Sequence, residues 1–416
     1  MDRHIVISVD GHAFAPAPAN SSSETRQLIE LDPYFEQRHL PVWQAYREAL
    51  SRALAPLGGA PRDDENGMFA PAGVGAFERK ARARGSDAGD GLFDSDIRLR
   101  EMESQGICAE VLFPNVLPFT MREGGGPYPP EVHRAGARAY NRWLADFCAA
   151  TPNRRAGLAA IDVHDIEAAV ADVTWAAEAG LRGALPPTGW WPDLAPYYDE
   201  RYEPLWAACA ELGMPVHFHG GAGSGDDYAA YGAKGFAVYA VETTSFYSTR
   251  AFPYFVLGGV LERHPALQLV FTESTAPWLH LLQLMDRLTE KRSGNDLFSH
   301  VRREVPLKAS EYFRRQVHIG ASMMNRQEAL DRHELGLENL MWGADYPHVE
   351  GTWPRTTAWL RSAFGGLPSD EVHTILARNP ARLYGFDLDD LQPIADRIGP
   401  SVRELAEPPK EMLWEW

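Results

Sequence analysis

The chain has 416 residues, of which 45% are hydrophobic and 23% are charged, a balance typical of a globular protein. Its 40 basic and 57 acidic residues give a formal net charge of −17, which argues against nucleic acid or an anionic membrane as a partner. Three widely spaced cysteines do not make a disulfide framework. The apolar run at the N-terminus is short, so we do not expect a secretory signal, and no apolar run approaches the length of a membrane span. We therefore expect a cytoplasmic enzyme or binding protein for a small molecule, with a homodimer as one compatible assembly.

Eight short apolar or β-branched runs predict a parallel sheet. They cover residues 5–9, 110–114, 155–161, 182–187, 214–219, 267–273, 316–322 and 340–345. Several segments between them carry apolar residues at helical spacing, and eight such strand–helix units favour a closed (β/α)8 TIM barrel. A doubly wound open sheet is the competing architecture. It normally has a glycine-rich phosphate loop after the first strand, whereas this first strand leads into DGHAFAP.

Two regions depart from this strand–helix pattern within one predicted domain, residues 1–416. Residues 13–100 form a long insertion between the first two strands, rich in proline, serine, glycine and charge, and we expect either a functional lid or a disordered segment. Residues 220–250 mix glycines with aromatics, which suits a wall over a pocket. Residues 385–416 are predicted to be a C-terminal extension of a distorted barrel.

Polar side chains that can bind a metal follow four of the predicted strands. They are Asp10 and His12 on the first strand, His217 and His219 on the fifth, Glu273 on the sixth and Asp345 on the eighth. Residues two apart on a strand face the same side, and barrel active sites lie at the carboxyl ends of the strands. Each residue alone has a plainer explanation, such as a helix N-cap. Four such strand ends together predict a divalent-metal site.

Further candidates lie around this site. His217 is expected to transfer protons or support a ligand, although a buried core histidine is an equal alternative. His348 and Glu350 are expected to orient ligands or bind substrate, unless they only form a turn at Pro347. An aromatic wall for a bulky apolar substrate is expected from Trp190, Trp191, Tyr198, Tyr247 and Trp353, although aromatic residues more often serve packing.

Several longer segments carry a family resemblance. They are SVDGHAFAP, RLREMESQGICAEVLFPN, GMPVHFHGG, MWGADYPHVEGTWP and NPARLYGF. Through them the chain resembles the amidohydrolase superfamily, in the branch that contains aminocarboxymuconate semialdehyde decarboxylase. The resemblance implies a (β/α)8 barrel with a metal held by Asp10, His12, His219 and Asp345. The chain departs from this branch in its D-x-H first-strand motif and in Glu273, which stands where a histidine is common.

These departures bear on the metal. Two imidazoles and three carboxylates, the last including Glu273, suit iron or manganese better than zinc. We expect one or two iron ions, with manganese and zinc as alternatives. The superfamily includes a non-haem di-iron monooxygenase of platensimycin-type diterpenoid biosynthesis, and the chain is similar to such a member. That similarity implies O2-dependent hydroxylation of a terpenoid-type acid or thioester in secondary metabolism.

Two other functions remain open beside this leading hypothesis. In one, the metal acts as a Lewis acid for hydrolysis or decarboxylation of an organic acid, and His217 or Asp345 transfers the proton. In the other, the barrel is a non-catalytic binding or scaffolding protein. Oxygen consumption distinguishes the hydrolase or decarboxylase from the monooxygenase, because only the monooxygenase uses O2. Replacement of Asp10 or Asp345 tests the scaffolding protein, whose function should not depend on either residue.

Overall fold

The computed structural model describes residues 2–13, 31–54, 90–114, 117–119, 128–188, 194–220, 238, 241–274, 278–290, 299–348 and 351–409. The described strand segments are β1 (Ile7–Ser8), β2 (His12–Ala13), β3 (Ala109–Pro114), β4 (Arg155–Gly157), β5 (Ala159–Ala160), β6 (Ala184–Leu185), β7 (Val216–His219), β8 (Leu269–Thr272), β9 (Val317–Ser322) and β10 (Leu340–Gly343). Every one of the eight predicted apolar runs overlaps at least one of these segments.

The strands form a closed parallel barrel. One sheet runs in the order β10-β9-β8-β7-β6-β5, and in the other β1, β2 and β4 all pair with β3. Since β5 continues the chain from β4, these two sheets join there. The remaining edge is closed by hydrogen bonds from Val9 N to Trp342 O (2.9 Å) and from Asp345 N to Asp10 O (3.0 Å). The barrel prediction is therefore confirmed, and the open sheet is excluded.

Helices cover the outside of the barrel. The described α-helices are Leu40–Leu54, Ser95–Ser104, Pro130–Ala149, Ile166–Glu178, Glu203–Glu211, Ala251–Leu257, Val260–Arg263, Trp278–Thr289, Ser299–Glu304, Ala309–Gln316, Arg326–Leu330, Arg332–Leu335, Thr356–Phe364, Ser369–His373, Asn379–Tyr384, Leu388–Ile398 and Val402–Ala406. In the described part of the chain no helix combines the length and the apolar character needed to cross a bilayer.

Alternation along the strands separates two hydrophobic cores. The outer core fills the space between strands and helices and includes Leu112 and Trp342. The inner core fills the barrel and includes Val111, Phe113 and Met341. Tyr384 and Phe386, from the NPARLYGF segment, join this inner core. The cluster of predicted site residues lies at the opposite, carboxyl end of the strands.

The predicted insertion and C-terminal extension are described in part. Within 13–100, Tyr34 and Glu36 contact the helix Pro130–Ala149, where Arg142 Nη1 donates to Tyr34 O at 2.8 Å and its Nη2 lies 3.6 Å from Glu36 Oε1. The last described helices pack against the N-terminal residues, since His4 N donates to Pro400 O at 2.9 Å. That residues 13–100 act as a lid stays a prediction.

Candidate metal centre

Six side chains from four strand ends meet at the mouth of the barrel. Asp10 lies between β1 and β2, His12 is in β2, His219 ends β7, Glu273 follows β8, and Asp345 and His348 follow β10. We call these six residues the mouth cluster. The side chains of Asp10 and Asp345 are fully buried, and that of His219 is 12% exposed. Residues more than 300 positions apart in the chain therefore share one small region, as the strand-end argument predicts.

The first half of the mouth cluster is centred on Asp10. Its Oδ1 lies 3.2 Å from His219 Nε2 and 3.6 Å from His12 Nε2. The ring centroids of the two histidines are 5.1 Å apart. Asp10, His12 and His219 thus offer one donor atom each within 4.8 Å of one another, which is close enough to hold one ion.

The second half of the mouth cluster is centred on Asp345. Its Oδ1 lies 3.2 Å from His12 Nε2 and 2.8 Å from His348 Nδ1. The rings of His12 and His348 stack with centroids 4.1 Å apart. His12, Asp345 and His348 form a second group of donors within 4.8 Å, so His12 is common to both groups.

Glu273 contacts the far side of His219. Its Oε2 lies 3.2 Å from His219 Nδ1, whereas Asp10 faces the other ring nitrogen. Gly220 O also lies near Nδ1, at 2.9 Å. Glu273 belongs to neither donor group. In the structure it is placed to orient His219 through the nitrogen that does not face Asp10.

The backbone at two of these residues adopts a strained conformation. Glu273 has φ of +51° and Asp345 has φ of +54°, in the left-handed region that non-glycine residues rarely adopt. Each such residue costs roughly 1–2 kcal/mol. Both lie immediately beyond strand ends, where the strain turns a carboxylate toward the mouth. Such strain is typical of functional sites.

Close packing fixes the glycine turn after β7. A Cβ placed on Gly220 would lie 2.4 Å from Glu273 O and 2.8 Å from its Oε2. Any side chain at this position would therefore push Glu273 away from His219. The HFHGG sequence thus needs its first glycine because two chain segments approach each other here.

Burial and charge together set the proton affinities of the cluster. Burial and the neighbouring His348 lower the pKa of His12 to about 4, which leaves a neutral imidazole. Although burial opposes it, Asp10 and Glu273 raise the pKa of His219 to about 9. Burial raises the pKa of Glu273 to about 8, against the pull of His219. For Asp345, His348 and His12 overcome burial and hold the pKa below its ordinary value.

These properties fit a divalent cation. Asp345 Oδ2 is buried and has no hydrogen-bond partner among the described residues. Asp10 and Glu273 raise the pKa of His219 although burial lowers it, which indicates that a proton on this ring offsets negative charge at the mouth. A cation in contact with Asp10 and Asp345 would compensate it instead. Imidazole and carboxylate donors suit manganese, iron or zinc.

His217 lies one layer below the mouth. Its ring is fully buried, and its nearest described ring neighbours include Phe113 and Tyr384, each with a centroid distance of 5.7 Å. Neither ring nitrogen has a hydrogen-bond partner among the described residues. Burial, with a smaller effect from His219, lowers the pKa of His217 to about 3. Its predicted part in proton transfer stays a prediction.

The expected aromatic wall is described only in part. Tyr198 is 46% exposed and packs against Tyr254, with centroids 5.6 Å apart. Tyr247 is half-buried at the end of a π-helix, Thr243–Tyr247. Trp353 lines a small cavity beside the barrel wall, together with Arg98 and Tyr346. Trp190, Trp191 and Glu350 lie outside the described residues.

Three supporting residues are not among the candidates named from the sequence. Ser322 Oγ donates to Asp10 Oδ2 and accepts from Glu273 N. Thr188 Oγ1 accepts from His219 N at 3.0 Å. Arg98 Nη1 donates to His12 O at 2.7 Å. Ser322 ends a predicted strand, so the rule that found the other mouth residues could have found it; Arg98 had no such signal.

Comparisons with known proteins identify the family and support the fold. A family model described as amidohydrolase matches residues 39–386. No curated protein matches the sequence. Among solved structures, the chain is similar to 5-carboxyvanillate decarboxylase from Sphingomonas paucimobilis, with 21% identity and a TM-score of 0.59, covering 92% of this chain and 100% of that one.

Two other solved structures share the fold. An amidohydrolase from Mycobacterium avium subsp. paratuberculosis K-10 is 21% identical, with a TM-score of 0.62, and covers 92% of this chain and 99% of that one. A dihydroxybenzoic acid decarboxylase from Polaromonas sp. JS666, with bound manganese and the inhibitor 2-nitroresorcinol, is 18% identical. Its TM-score is 0.60, and coverage is 92% of this chain and 97% of that one. Because the family model spans most of the sequence, the chain belongs to the amidohydrolase family.

Proposed function

We propose that this protein is a divalent-metal-dependent enzyme that cleaves a small organic acid, with decarboxylation as the first candidate reaction. The observation that carries the proposal is the convergence of Asp10, His12, His219 and Asp345 within a few ångströms at the barrel mouth. Fold relatives that are decarboxylases of aromatic acids, one with bound manganese, support this candidate above the monooxygenase favoured by the sequence.

In this proposal four residues of the mouth cluster hold the ion. They are Asp10, His12, His219 and Asp345. When bound, the metal acts as a Lewis acid that binds and polarises an oxygen-rich substrate. Glu273 orients His219 from its far nitrogen, a role we assign in place of the ligand role expected from the sequence. Manganese is the first metal to test, with iron and zinc as alternatives.

We assign proton transfer to His348, in contact with Asp345. When the carboxylate leaves as CO2, its bonding electrons stay on the substrate carbon, which must then take up a proton. The side chain of His348 is 26% exposed and lies 2.8 Å from Asp345 Oδ1, so it can face both substrate and solvent. His217 is fully buried and has no such access.

A di-iron monooxygenase is the second candidate. It is favoured by the two donor groups that share His12, one completed by Asp10 and His219 and the other by Asp345 and His348. One ring nitrogen binds only one ion, so His12 would serve one site. Carboxylate and imidazole donors of this kind also build di-iron centres in other folds. A bulky terpenoid-type acid would be the substrate class.

The two candidates are separated by their products. Metal-free protein is reloaded with manganese, iron or zinc and incubated with a panel of aromatic and aliphatic carboxylic acids, with and without an added two-electron donor, which hydroxylation by O2 requires, while CO2 release and O2 consumption are recorded. CO2 without O2 uptake supports decarboxylation, and O2 uptake matched by hydroxylated product supports the monooxygenase.

His348→Asn should lower turnover, whereas His333→Asn, at a histidine whose side chain is 58% exposed, should not. Equal turnover of His348→Asn and unchanged protein would contradict the role of His348.

A further inference from the structure

Arg98 occupies an unusual place beside the mouth cluster. Its side chain is fully buried, although a buried guanidinium is stable only when it is well paired. Its Nε donates to Glu110 Oε1 at 3.1 Å and its Nη2 donates to Glu110 Oε2 at 2.7 Å, while its Nη1 donates to His12 O at 2.7 Å. Arg98 therefore links the helix Ser95–Ser104 to β2 and β3 in one set of charge-assisted hydrogen bonds.

The same guanidinium lies at the point where the barrel closes. It stacks over the ring of Tyr346 at 4.3 Å, and Tyr346 O accepts a hydrogen bond from His12 N at 2.7 Å. The hydroxyl of Tyr346 donates to Glu101, on the same helix as Arg98. His12 is thus held through its carbonyl by Arg98 and through its amide by the segment that carries Asp345.

Neighbouring packing leaves Arg98 little freedom. A Cβ on Gly11 would lie 2.8 Å from Arg98 Nη2, so the residue between Asp10 and His12 is kept small where the guanidinium passes. The bidentate contact with Glu110 fixes the plane of the guanidinium, which a lysine ammonium could not reproduce. The position of the His12 backbone is therefore set by Arg98 and its partners.

We propose that Arg98 is a positioning residue for the metal centre: by holding the His12 carbonyl it places the imidazole that both donor groups share. This inference rests on the proposed metal-dependent function. It predicts that loss of Arg98 weakens metal binding beyond what loss of a comparable buried arginine does. Partners that orient a metal ligand typically change metal affinity by about 10–100-fold when removed.

Arg155 provides the matched control. It is also buried, and its Nε lies 3.4 Å from Glu110 Oε1, the carboxylate that Arg98 shares. Among the described residues, Arg155 donates hydrogen bonds to Ser95 and Phe147, and neither residue belongs to the mouth cluster. Loss of Arg155 should therefore lower stability in the same way as loss of Arg98, without displacing His12.

The test is Mn2+ affinity, measured by titration calorimetry at a temperature where every variant is folded. We expect Arg98→Met to bind about 10–100-fold more weakly than unchanged protein, Arg98→Lys to recover part of the loss, and Arg155→Met to stay within about threefold. If Arg98→Met does not fold, Arg98→Lys against Arg155→Lys carries the comparison. Equal losses in the two series, or unchanged affinity without Arg98, would overturn the inference. Unchanged protein that binds no ion would overturn the proposed function as well.

Discussion

Asp345 has the most demanding environment of the mouth residues. Its carboxylate is fully buried, its backbone is in the left-handed region, and its Oδ1 is in contact with two imidazoles. A buried carboxylate normally takes up a proton, yet His348 and His12 hold its pKa below the ordinary value. The ionised form is therefore present at neutral pH and can bind a cation. A substitution that removes the negative charge of Asp345 tests this role.

Asp345→Asn keeps the shape of the side chain and removes its charge. We expect divalent-metal affinity to fall by more than about 100-fold, since loss of a ligand should exceed the effect of losing a residue that only orients one. Asp331→Asn, at a site on the outer helices, serves as the control. Equilibrium dialysis with Mn2+ measures both, and retention of affinity in Asp345→Asn would contradict the assignment.

Replacement of Glu273 and replacement of Asp10 should lower metal affinity to different extents. If Glu273 only orients His219, Glu273→Gln retains the ion and weakens its binding by about 10–100-fold, because the amide oxygen can still accept from Nδ1–H. If Glu273 is a ligand, as the sequence suggested, its loss should match that of Asp10→Asn. The ratio of the two affinities, measured by the same dialysis, decides between these roles.

The individual candidate ligands could be predicted because the ends of strands can be recognised in the sequence. Asp10, His12, His219 and Asp345 each follow an apolar run, and a parallel barrel brings such ends together. The sequence did not predict which residue faces each ring nitrogen of a histidine, because the orientation of the ring depends on packing from distant segments. For this reason the position of Glu273 behind His219 came only from the structure.

At the scale of elements, the turn after β7 couples two strands. Gly220 leaves room for Glu273 between β7 and the end of β8. Gly220→Ala should destabilise the fold by about 1–3 kcal/mol, as overpacking does, and should also weaken metal binding by displacing Glu273 from His219. The free energy of unfolding from urea titration and Mn2+ affinity measure the two effects.

Gly180→Ala is the control for Gly220→Ala, because it should lower stability without changing metal binding. Gly180 has φ of +84°, and a Cβ added there would meet no described atom within 4 Å, so alanine costs backbone strain alone. Gly180→Ala should lower stability and leave Mn2+ affinity unchanged. A metal affinity that falls equally in both variants would show that the glycine turn has no special link to the site.

Regular elements were predictable where apolar patterns were strong. The strand β9 begins within one residue of the predicted run 316–322 and ends at the same residue. The helix Leu388–Ile398 does not follow from the sequence pattern, because Pro393 predicts a break in any helix there. Burial of Leu391 and Ala395 in the inner core stabilises this helix despite the proline, which shows tertiary packing overriding local preference.

At the scale of the whole molecule, buried neutral histidines make the fold sensitive to acid. Burial lowers the pKa of His318 and of His4 to about 4, below the ordinary 6.5. Between these values the unfolded chain binds protons that the folded chain does not. The free energy of unfolding should therefore decrease as the pH falls from about 6.5 toward about 4.

His318→Gln tests this pH dependence at one residue. His318 Nε2 lies 3.0 Å from Gln268 Oε1, a contact that a glutamine amide can retain. The variant should lose less stability than unchanged protein between about pH 7 and about pH 5, measured by urea unfolding. His333→Gln, at an exposed histidine, should follow the unchanged protein. An identical loss in all three proteins would contradict a burial effect at His318.

A divalent ion bound at the barrel mouth is central to every role assigned above, and the metal content of the folded protein tests it most directly. Unchanged protein, Asp10→Asn and Asp345→Asn are each saturated with Mn2+, dialysed and analysed for bound metal and for folding by circular dichroism. We predict at least one ion per chain in unchanged protein and its loss in both folded variants. Equal metal content in all three proteins, or none in unchanged protein, would contradict this prediction.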